Sequence, residues 1–408
     1  MTKNIVFTKG LIAAGLALAG TALQAQNVEL TDSRPTTYDP IGIGAGGFRI
    51  YPSVQARLTY DDNIFLRDNN VVGDGLVTVT PSVVARSNWA SHSLVMSASS
   101  TVRRYFSNQD QNSEEYRATA DGRLDILQSW NVGATADYGH LVEPRGTVGN
   151  DFVTGEPVRY DRYSAALRTA KSFNRIAFSG GVSADRYRYQ DIKGGGIFVD
   201  QSLRDHDTLV ARFRVDNRIG GSSSVFVSTS INKINYRNLK SRDSKGYTAL
   251  AGIRFEVTRL LHGEAGLGYI HQSFDDPRFR GFSGINYSAN LIYEPTRLTT
   301  FRLKASRQIA DSAIAGVPGV LQSRVRFEVE HELLRRLILT GYVEGTRETY
   351  RGIDRREQRY YAGAGARYYL NRNFAVTLSY DRQQQNGRGL FNNDYRGNRI
   401  SLSILAQR

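Results

Sequence analysis

The sequence predicts an all-β protein, a single antiparallel β-barrel of about 18 strands that crosses a membrane. Three observations support this prediction. Apolar and polar residues alternate with a period of two, the connections are short and long in turn, and the first 25 residues have the pattern of an export signal. Together they favour a closed sheet with short periplasmic turns and longer extracellular loops, which is typical of outer-membrane barrels.

The alternation of residue types predicts strands whose two faces meet different environments. In residues 209–217, Leu209 and Phe213 lie on one face, while Arg212 and Arg214 lie on the other. The last predicted strand repeats this pattern. Its apolar residues, expected to face lipid and to pair with the first strand near Val54 to Leu58, are Ile400, Leu402 and Ile404.

The spacing of the connections predicts the topology. Long polar segments such as 143–159 and 191–205 separate the short turns. Counting strands from residue 49 to residue 408 gives about 18, and an even number places both chain ends in the periplasm. A soluble array of β-sandwiches is the alternative, but its strands are usually shorter than the roughly 12–15 residues seen here. The short turns are expected near Trp89, Trp130, Asn174, Gly221, Leu261, Thr296, Arg336 and Arg372.

The start of the chain predicts its compartment. Residues 1–25 are interpreted as a secretory signal peptide, 26–48 as a periplasmic segment and 49–408 as the barrel. The apolar core of the signal is too short for a transmembrane helix. The absence of cysteine suits an oxidising compartment. We therefore expect the outer membrane of a Gram-negative cell, and no nucleic-acid partner despite a formal net charge of +14.

Arginine dominates the charged face of the predicted strands. Such a density of charge cannot face lipid, so this face is expected to line the lumen. An excess of base would raise the local concentration of anions. A wall in which acids and bases pair across neighbouring strands is an open alternative. The predicted lumen-lining bases are Arg168, Arg212, Arg214, Arg254, Arg302, Arg324 and Arg326.

A polar cluster ends the first predicted strand, where Tyr60 is followed by Asp61, Asp62 and Asn63. Short acidic and amide side chains shape turns by hydrogen bonding to nearby backbone groups. Oxygen ligands also suit Ca²⁺, but the cluster lacks the alternate-residue spacing of an EF-hand loop. We expect a turn role and predict no metal site and no cofactor, although cation binding by Asp61 and Asp62 stays open.

Aromatic residues near the long loops are expected to form a girdle at the outer membrane interface. Aromatic packing inside the fold is the alternative for each of them. The predicted members are Tyr60, Tyr105, Tyr187, Tyr236, Phe274 and Tyr350.

Residues 38–65 resemble the opening of the outer-membrane family called beta-barrel porin 2. The similarity consists of a glycine-rich approach, Pro52 and a serine at the first strand, and the polar cluster at residues 60–63. Residues 77–99 resemble the next hairpin of that family, with Trp89 in its turn. The resemblance implies one barrel and an association with exopolysaccharide production and export. It supplies no functional residues, and the chain lacks the terminal aromatic residue that the barrel insertion machinery usually reads.

We therefore expect a porin-like channel, not an enzyme, that passes anionic solutes or acidic exopolysaccharide. Its expected partners are outer-membrane lipid, lipopolysaccharide, the insertion machinery and polysaccharide export proteins. One alternative is an enzyme acting on lipid A or glycan, because His271 and Ser273 match a His-x-Ser motif with Asp275 nearby. Another is a plugged barrel that serves as a scaffold for secretion machinery.

Overall fold

The computed structural model describes residues 38–148, 155–194, 197–258, 260–312, 314, 316–390 and 393–408. Within these ranges, 18 antiparallel strands form one closed β-barrel, and we number them in chain order. The expected signal peptide at residues 1–25 lies outside the described residues. The strands are β1 Phe48–Asp61, β2 Asp74–Ser87, β3 Ser93–Tyr105, β4 Ser113–Leu127, β5 Trp130–Val142, β6 Arg159–Ser172, β7 Ile176–Tyr189, β8 His206–Gly220, β9 Ser223–Tyr236, β10 Ser244–Thr258, β11 Leu261–Phe274, β12 Phe282–Thr296, β13 Thr299–Ala310, β14 Val320–Leu334, β15 Leu337–Tyr350, β16 Arg355–Tyr369, β17 Phe374–Gly389 and β18 Tyr395–Gln407.

Each strand pairs with the next along the chain, and β1 pairs with β18 to close the barrel. Ala56 lies opposite Ile404, and Leu58 lies opposite Leu402. The Leu402 side chain is 47% exposed, whereas Ser403 is 5% exposed. The predicted pairing of the two terminal strands, and the outward direction of the apolar residues on β18, are therefore confirmed.

The connections differ between the two ends of the barrel, as the sequence predicts. At one end, tight turns such as residues 128–129 and 335–336 join successive strands. At the other end, longer loops carry extra structure, including a small hairpin of Ile192–Gly194 and Ile197–Val199. A short strand, Ile43–Ala45, pairs with the start of β1 at the turn end. In the part of the chain that the structure describes, no helix is long and apolar enough to cross a membrane.

The aromatic girdle predicted from the sequence is wrong in most of its members. Tyr60 is 55% exposed and faces outward, as expected. Five others lie on the lumenal side, because they are in phase with lumenal neighbours such as Asp185 on β7 and Gln272 on β11. They are Tyr105, Tyr187, Tyr236, Phe274 and Tyr350. Exposed outward aromatic residues are instead Tyr116, Tyr163, Tyr247, Tyr269, Tyr360 and Tyr380.

Candidate functional site

All seven arginines selected from the sequence lie on the lumenal faces of their strands, and six of them form ion pairs. The N–O distances of the pairs named below run from 2.5 to 3.5 Å, and Arg254 also lies 3.7 Å from Asp216. Most of the positive charge that the sequence places in the lumen is therefore neutralised by carboxylates on the same or neighbouring strands. The pairs are Arg168 with Asp121, Arg214 with Asp216 and Glu264, Arg254 with Glu264, Arg302 with Glu330, Arg324 with Glu344, and Arg326 with Glu328 and Glu344.

Arg212 differs from the other six. Its guanidinium donates a hydrogen bond of 3.4 Å to the Ser183 hydroxyl, and the structure gives it no ion pair with a described carboxylate. The charge of Arg212 is thus only partly balanced, whereas the charge of Arg214, two residues further on the same face of β8, is balanced by two carboxylates. The paired wall that the sequence left open as an alternative is the arrangement that the described lumen shows.

The acidic cluster at the end of β1 binds the first strand to the last. Asp61 accepts a hydrogen bond of 2.5 Å from the Arg399 side chain on β18 and another of 2.9 Å from the backbone of Asn63. Asp62 accepts 2.7 and 2.6 Å bonds from the backbone and side chain of Asn398. All four carboxylate oxygens are thus occupied by protein donors, so a cation would have to displace them.

Asn63 completes this junction from a fully buried position. Its amide donates 2.7 Å hydrogen bonds to the backbone oxygens of Arg67 and Arg396, and its carbonyl accepts from the Arg67 backbone at 3.1 Å. The structure therefore gives residues 61–63 the turn role expected from the sequence. Among the described residues, no group of three histidine or acidic side chains is arranged to hold a metal ion.

Two loop segments fold inward at the end of the barrel that carries the long loops. They are residues 143–148, which come after β5, and the described residues between 311 and 319, namely 311, 312, 314 and 316–319, which come after β13. We call them the mouth cap. Together with the upper ends of two strands they form a buried apolar cluster in the lumen. Its members are Val148, Ile314, Val317, Val320 and Tyr350.

A charged group beneath the mouth cap is buried. Arg359 on β16 pairs with Glu348 at 3.2 Å and with Glu357 at 2.9 Å, and all three side chains have an exposure of 0%. Arg359 also donates a hydrogen bond to the backbone oxygen of Gly146, which belongs to the loop that follows β5. Burying these charges without partners would be costly, so the cap and the strand wall stabilise each other.

Gly146 occupies a position that only glycine suits. Its φ is +76°, and an added Cβ would lie 2.9 Å from a Leu66 methyl carbon and 3.0 Å from the Tyr395 hydroxyl. The absence of a side chain lets this part of the cap lie against the wall where Arg359 reaches it.

Ion pairs between loops hold the cap from its other side. Arg242 pairs with Asp311 at 2.5 Å and donates to the Ser312 backbone oxygen at 2.6 Å. Arg204 pairs with Glu143 at 2.6 Å.

Burial acts to raise the pKa of the Asp311 carboxyl, but Arg242 and then His206 outweigh it and hold the pKa below its usual value. Asp311 is therefore ionised at neutral pH and keeps its attraction for Arg242.

Sequence reasoning missed the mouth cap and its charged anchor. The alternation of Arg355, Glu357 and Arg359 indicates a lumenal face, and this signal is visible in the printed sequence. Their burial depends on Gly146, which is 213 residues away from Arg359. No local pattern predicts a contact at that separation.

The residues considered for an enzyme lie on the outward face. The His271 ring packs against Tyr247 with centroids 5.5 Å apart, and the Ser273 hydroxyl donates a 3.2 Å hydrogen bond to the backbone oxygen of Lys245. The backbone of Asp275 donates to Asp243. These contacts hold strand ends together, and they do not direct a base at the Ser273 hydroxyl.

The closed sheet, the apolar outer face and the charged lumen define the class: an outer-membrane β-barrel of the porin type. The chain belongs to the family described as "Putative beta-barrel porin 2", whose sequence profile matches residues 34–408. The resemblance seen in the sequence is thereby confirmed. No curated protein matches the sequence.

Solved structures of similar shape are outer-membrane proteins of low sequence identity. OpdK of Pseudomonas aeruginosa, solved with vanillate, is 11% identical with a TM-score of 0.48, over 88% of this chain and 99% of that one. A mutant of the ferric enterobactin receptor PfeA of Pseudomonas aeruginosa is 8% identical in sequence, with a TM-score of 0.48. The match covers 88% of this chain and 80% of the receptor chain. The siderophore receptor PirA of Acinetobacter baumannii is 7% identical in sequence, with a TM-score of 0.47. The match covers 92% of this chain and 81% of the receptor chain. Similarity at this level identifies no substrate.

The junction between β1 and β18 predicts a stability difference between two acidic residues. Replacing Asp61 with Ala leaves Arg399 without its carboxylate, and we expect the free energy of unfolding to fall by roughly 1–3 kcal/mol. The matched control is Asp68→Ala, because Asp68 is an exposed loop residue just beyond the same strand. Denaturant unfolding from lipid vesicles measures both variants. Equal stability of the two would contradict a role for Asp61 in closing the barrel.

Proposed function

We propose that this protein is a porin-like channel for small anionic solutes, and that the mouth cap holds it closed at its extracellular end. The observation that supports the proposal best is the hydrogen bond from Arg359 to Gly146, which joins an inward loop to the lumenal wall at β16. An 18-stranded barrel is wide enough for an aqueous channel unless loops fill it. Transport then requires the cap to move.

Two features of the wall favour anions, although weakly. Arg212 lies on the lumenal face with no ion pair to a described carboxylate. Arg49 and Arg86 lie directly opposite each other on β1 and β2 at the turn end, which is the periplasmic end in this proposal. Because most other lumenal arginines are paired, the bias toward anions should be modest and not steep.

A more specific form of this proposal is that the channel passes acidic exopolysaccharide. It rests on the family resemblance and on the same weakly basic wall. A polymer must thread through the whole lumen, so its passage would require the mouth cap to leave the barrel entirely. We propose small anionic solutes first, because smaller movements of the mouth cap would admit them.

A plugged barrel that acts as a scaffold is the second candidate. The buried pairing of Arg359 with Glu348 and Glu357 favours it, since three fully buried charged groups resist separation. Removal of the cap distinguishes the two candidates. If the barrel is a channel, its conductance rises when the cap is removed. If the barrel is a scaffold whose lumen is also filled below the cap, its conductance does not change. We propose no enzymatic activity for either candidate.

Removing part of the mouth cap should open the channel. We expect that replacing residues 312–317 with a flexible Gly-Ser segment of equal length raises single-channel conductance in planar bilayers several-fold. The apolar contacts of Val317 and the backbone contact to Arg242 are lost in this variant. The control is the same replacement in residues 276–281, a loop whose residues are exposed or half-buried. Unchanged conductance in the cap variant would favour the plugged scaffold.

Acid should release the cap. The pKa of Asp311 is lowered in the closed state. Such a carboxyl stabilises the closed state when the pH is above the pKa of a free aspartate, about 3.9. The stabilisation is lost as the pH falls through the lowered pKa. The contribution of Asp311 to closed-state occupancy should therefore be constant from about pH 8 to about pH 5 and be lost below about pH 4.

The acid dependence is measured as channel open probability at each pH, in the wild type and in Asp311→Asn. The Asn variant should open more often at neutral pH and lose most of the acid response. Glu143→Gln serves as a comparison, because Glu143 anchors the cap through Arg204 and not through Arg242. An acid response that persists in full in Asp311→Asn would remove Asp311 as its source.

Charge selectivity should depend on paired arginines as well as on Arg212. Replacing Arg212, Arg214, Arg324 and Arg326 with Gln leaves Glu264, Glu328 and Glu344 short of positive charge. We expect reversal potentials under a salt gradient to change from weak anion preference to cation preference. The change should shrink between about 0.1 M and about 1 M salt, where the Debye length falls from roughly 10 to roughly 3 Å. Cation preference in the wild type would contradict the anionic substrate class.

A further inference from the structure

Four exposed arginines lie on the outward face of β15 to β18, at the end that carries the long loops. We call them the outer arginine patch. Their direction follows from the alternation: on β16, for example, the exposed Arg356 lies between the buried Arg355 and Glu357. The members of the patch are Arg347, Arg356, Arg388 and Arg396.

The register of the strands brings like charges together in this patch. Arg356 on β16 lies directly opposite Arg388 on β17. Arg347 on β15 lies opposite Gln358, which makes it a diagonal neighbour of Arg356 at about 7–8 Å. Like charges directly opposite each other destabilise a sheet. The same arrangement recurs where Lys233 on β9 lies opposite Lys245 on β10, both of them exposed.

The arginines of the patch form no ion pair in the part of the chain that the structure describes. The side chains around them include the amides of Gln358, Gln384 and Asn386, and the exposed carboxylate of Asp394, which accepts a hydrogen bond from the backbone of Gly387. Some outward arginines elsewhere are paired with acids, whereas Arg307 on β13 donates to the backbone oxygen of Ile285. Arg104 pairs with Glu114, and both Arg186 and Arg188 pair with Asp207. What distinguishes the outer arginine patch is that several outward arginines without ion pairs are grouped on neighbouring strands.

The height of the patch points to the membrane surface. On the same strands, Tyr360, Tyr380 and Ile400 are outward and about half exposed, so they mark the apolar band. Arg356 and Arg396 each precede such a residue by four positions, which is about 13 Å along a strand. The guanidinium groups therefore lie just beyond the apolar band, where lipid headgroups begin.

We propose that the outer arginine patch binds the phosphate groups of a phosphorylated glycolipid in the outer leaflet. Guanidinium groups bind phosphate through paired, charge-assisted hydrogen bonds. A phosphate between Arg356 and Arg388 would turn their repulsion into a shared attraction, and the neighbouring amides offer donors and acceptors for sugar hydroxyls. This site lies outside the lumen and does not depend on the channel function.

The test uses the full-length protein in a non-ionic detergent, titrated with a bis-phosphorylated glucosamine disaccharide lipid. Native mass spectrometry measures bound lipid, and thermal unfolding measures stability. In Arg356→Gln/Arg388→Gln, we expect affinity for this lipid to fall at least about tenfold, because two charge-assisted contacts are lost. The matched control is Arg104→Gln/Arg186→Gln, which removes two outward arginines that already have acidic partners; its affinity should stay within about twofold of the wild type.

The direction of the stability change separates a lipid site from a structural role. Without lipid, the Arg356→Gln/Arg388→Gln variant should unfold at a temperature equal to or above that of the wild type, because a like-charge pair has been removed. With lipid, the wild type should gain more stability than the variant. A variant that is less stable without lipid would show that the arginines hold the sheet together, and would overturn the proposal.

Further probes distinguish the source of the phosphate. The dephosphorylated lipid should bind at least about tenfold more weakly than the phosphorylated one, and inorganic phosphate should not compete at equal concentration. Equal binding of inorganic phosphate would indicate a solute site, and tighter binding of an acidic polysaccharide would indicate a polymer surface; either result overturns the lipid assignment. If the double variant does not insert, Arg347→Gln/Arg396→Gln replaces it, with the same expectation.

Discussion

A bilayer offers no hydrogen-bonding partner to an exposed strand edge, and this constraint determines the rest of the structure. The sheet must close, so the chain must bring β1 and β18 together across the full length of its sequence. Residues 61–63 hold that junction at its outer end, where Asp61 pairs with Arg399 and Asp62 with Asn398. An acidic cluster that suggests a metal site in the sequence is thus explained by the need to join the two ends of one sheet.

In a closed barrel, one set of side chains faces outward and the other faces the lumen. The lumenal set includes charged groups, which lie in a partly enclosed space. Enclosed charges must be paired. This explains why Arg214 and Arg326 each contact two acids. The same requirement lets the mouth cap form, because Arg359 is neutralised by Glu348 and Glu357 before it binds Gly146. Pairing is therefore the reason that the proposed channel is given a closed resting state and a modest charge selectivity.

The sequence predicted the barrel, its strand number and the pairing of β18 with β1, because these depend on a period of two and on alternating connection lengths. It also predicted the lumenal direction of arginines such as Arg212, which the alternation determines. The tyrosines at the ends of strands were misjudged because a girdle position and a lumenal position differ by one residue, as Tyr187 shows. The mouth cap was not predictable, since it joins Gly146 to Arg359 through a contact that no local pattern encodes.

The distribution of positive charge links the two proposals. The formal net charge of +14 suggested a basic lumen, yet the lumenal arginines mostly have acidic partners while the outer arginine patch has none in the described structure. Unbalanced charge is tolerated where solvent or an anionic headgroup can screen it, and it is costly inside a packed barrel. An arginine such as Arg356 can therefore act on the membrane surface without altering the field in the lumen, whereas Arg326 cannot change without unbalancing Glu344. Attraction to the membrane and selectivity in the lumen can thus be changed independently of each other.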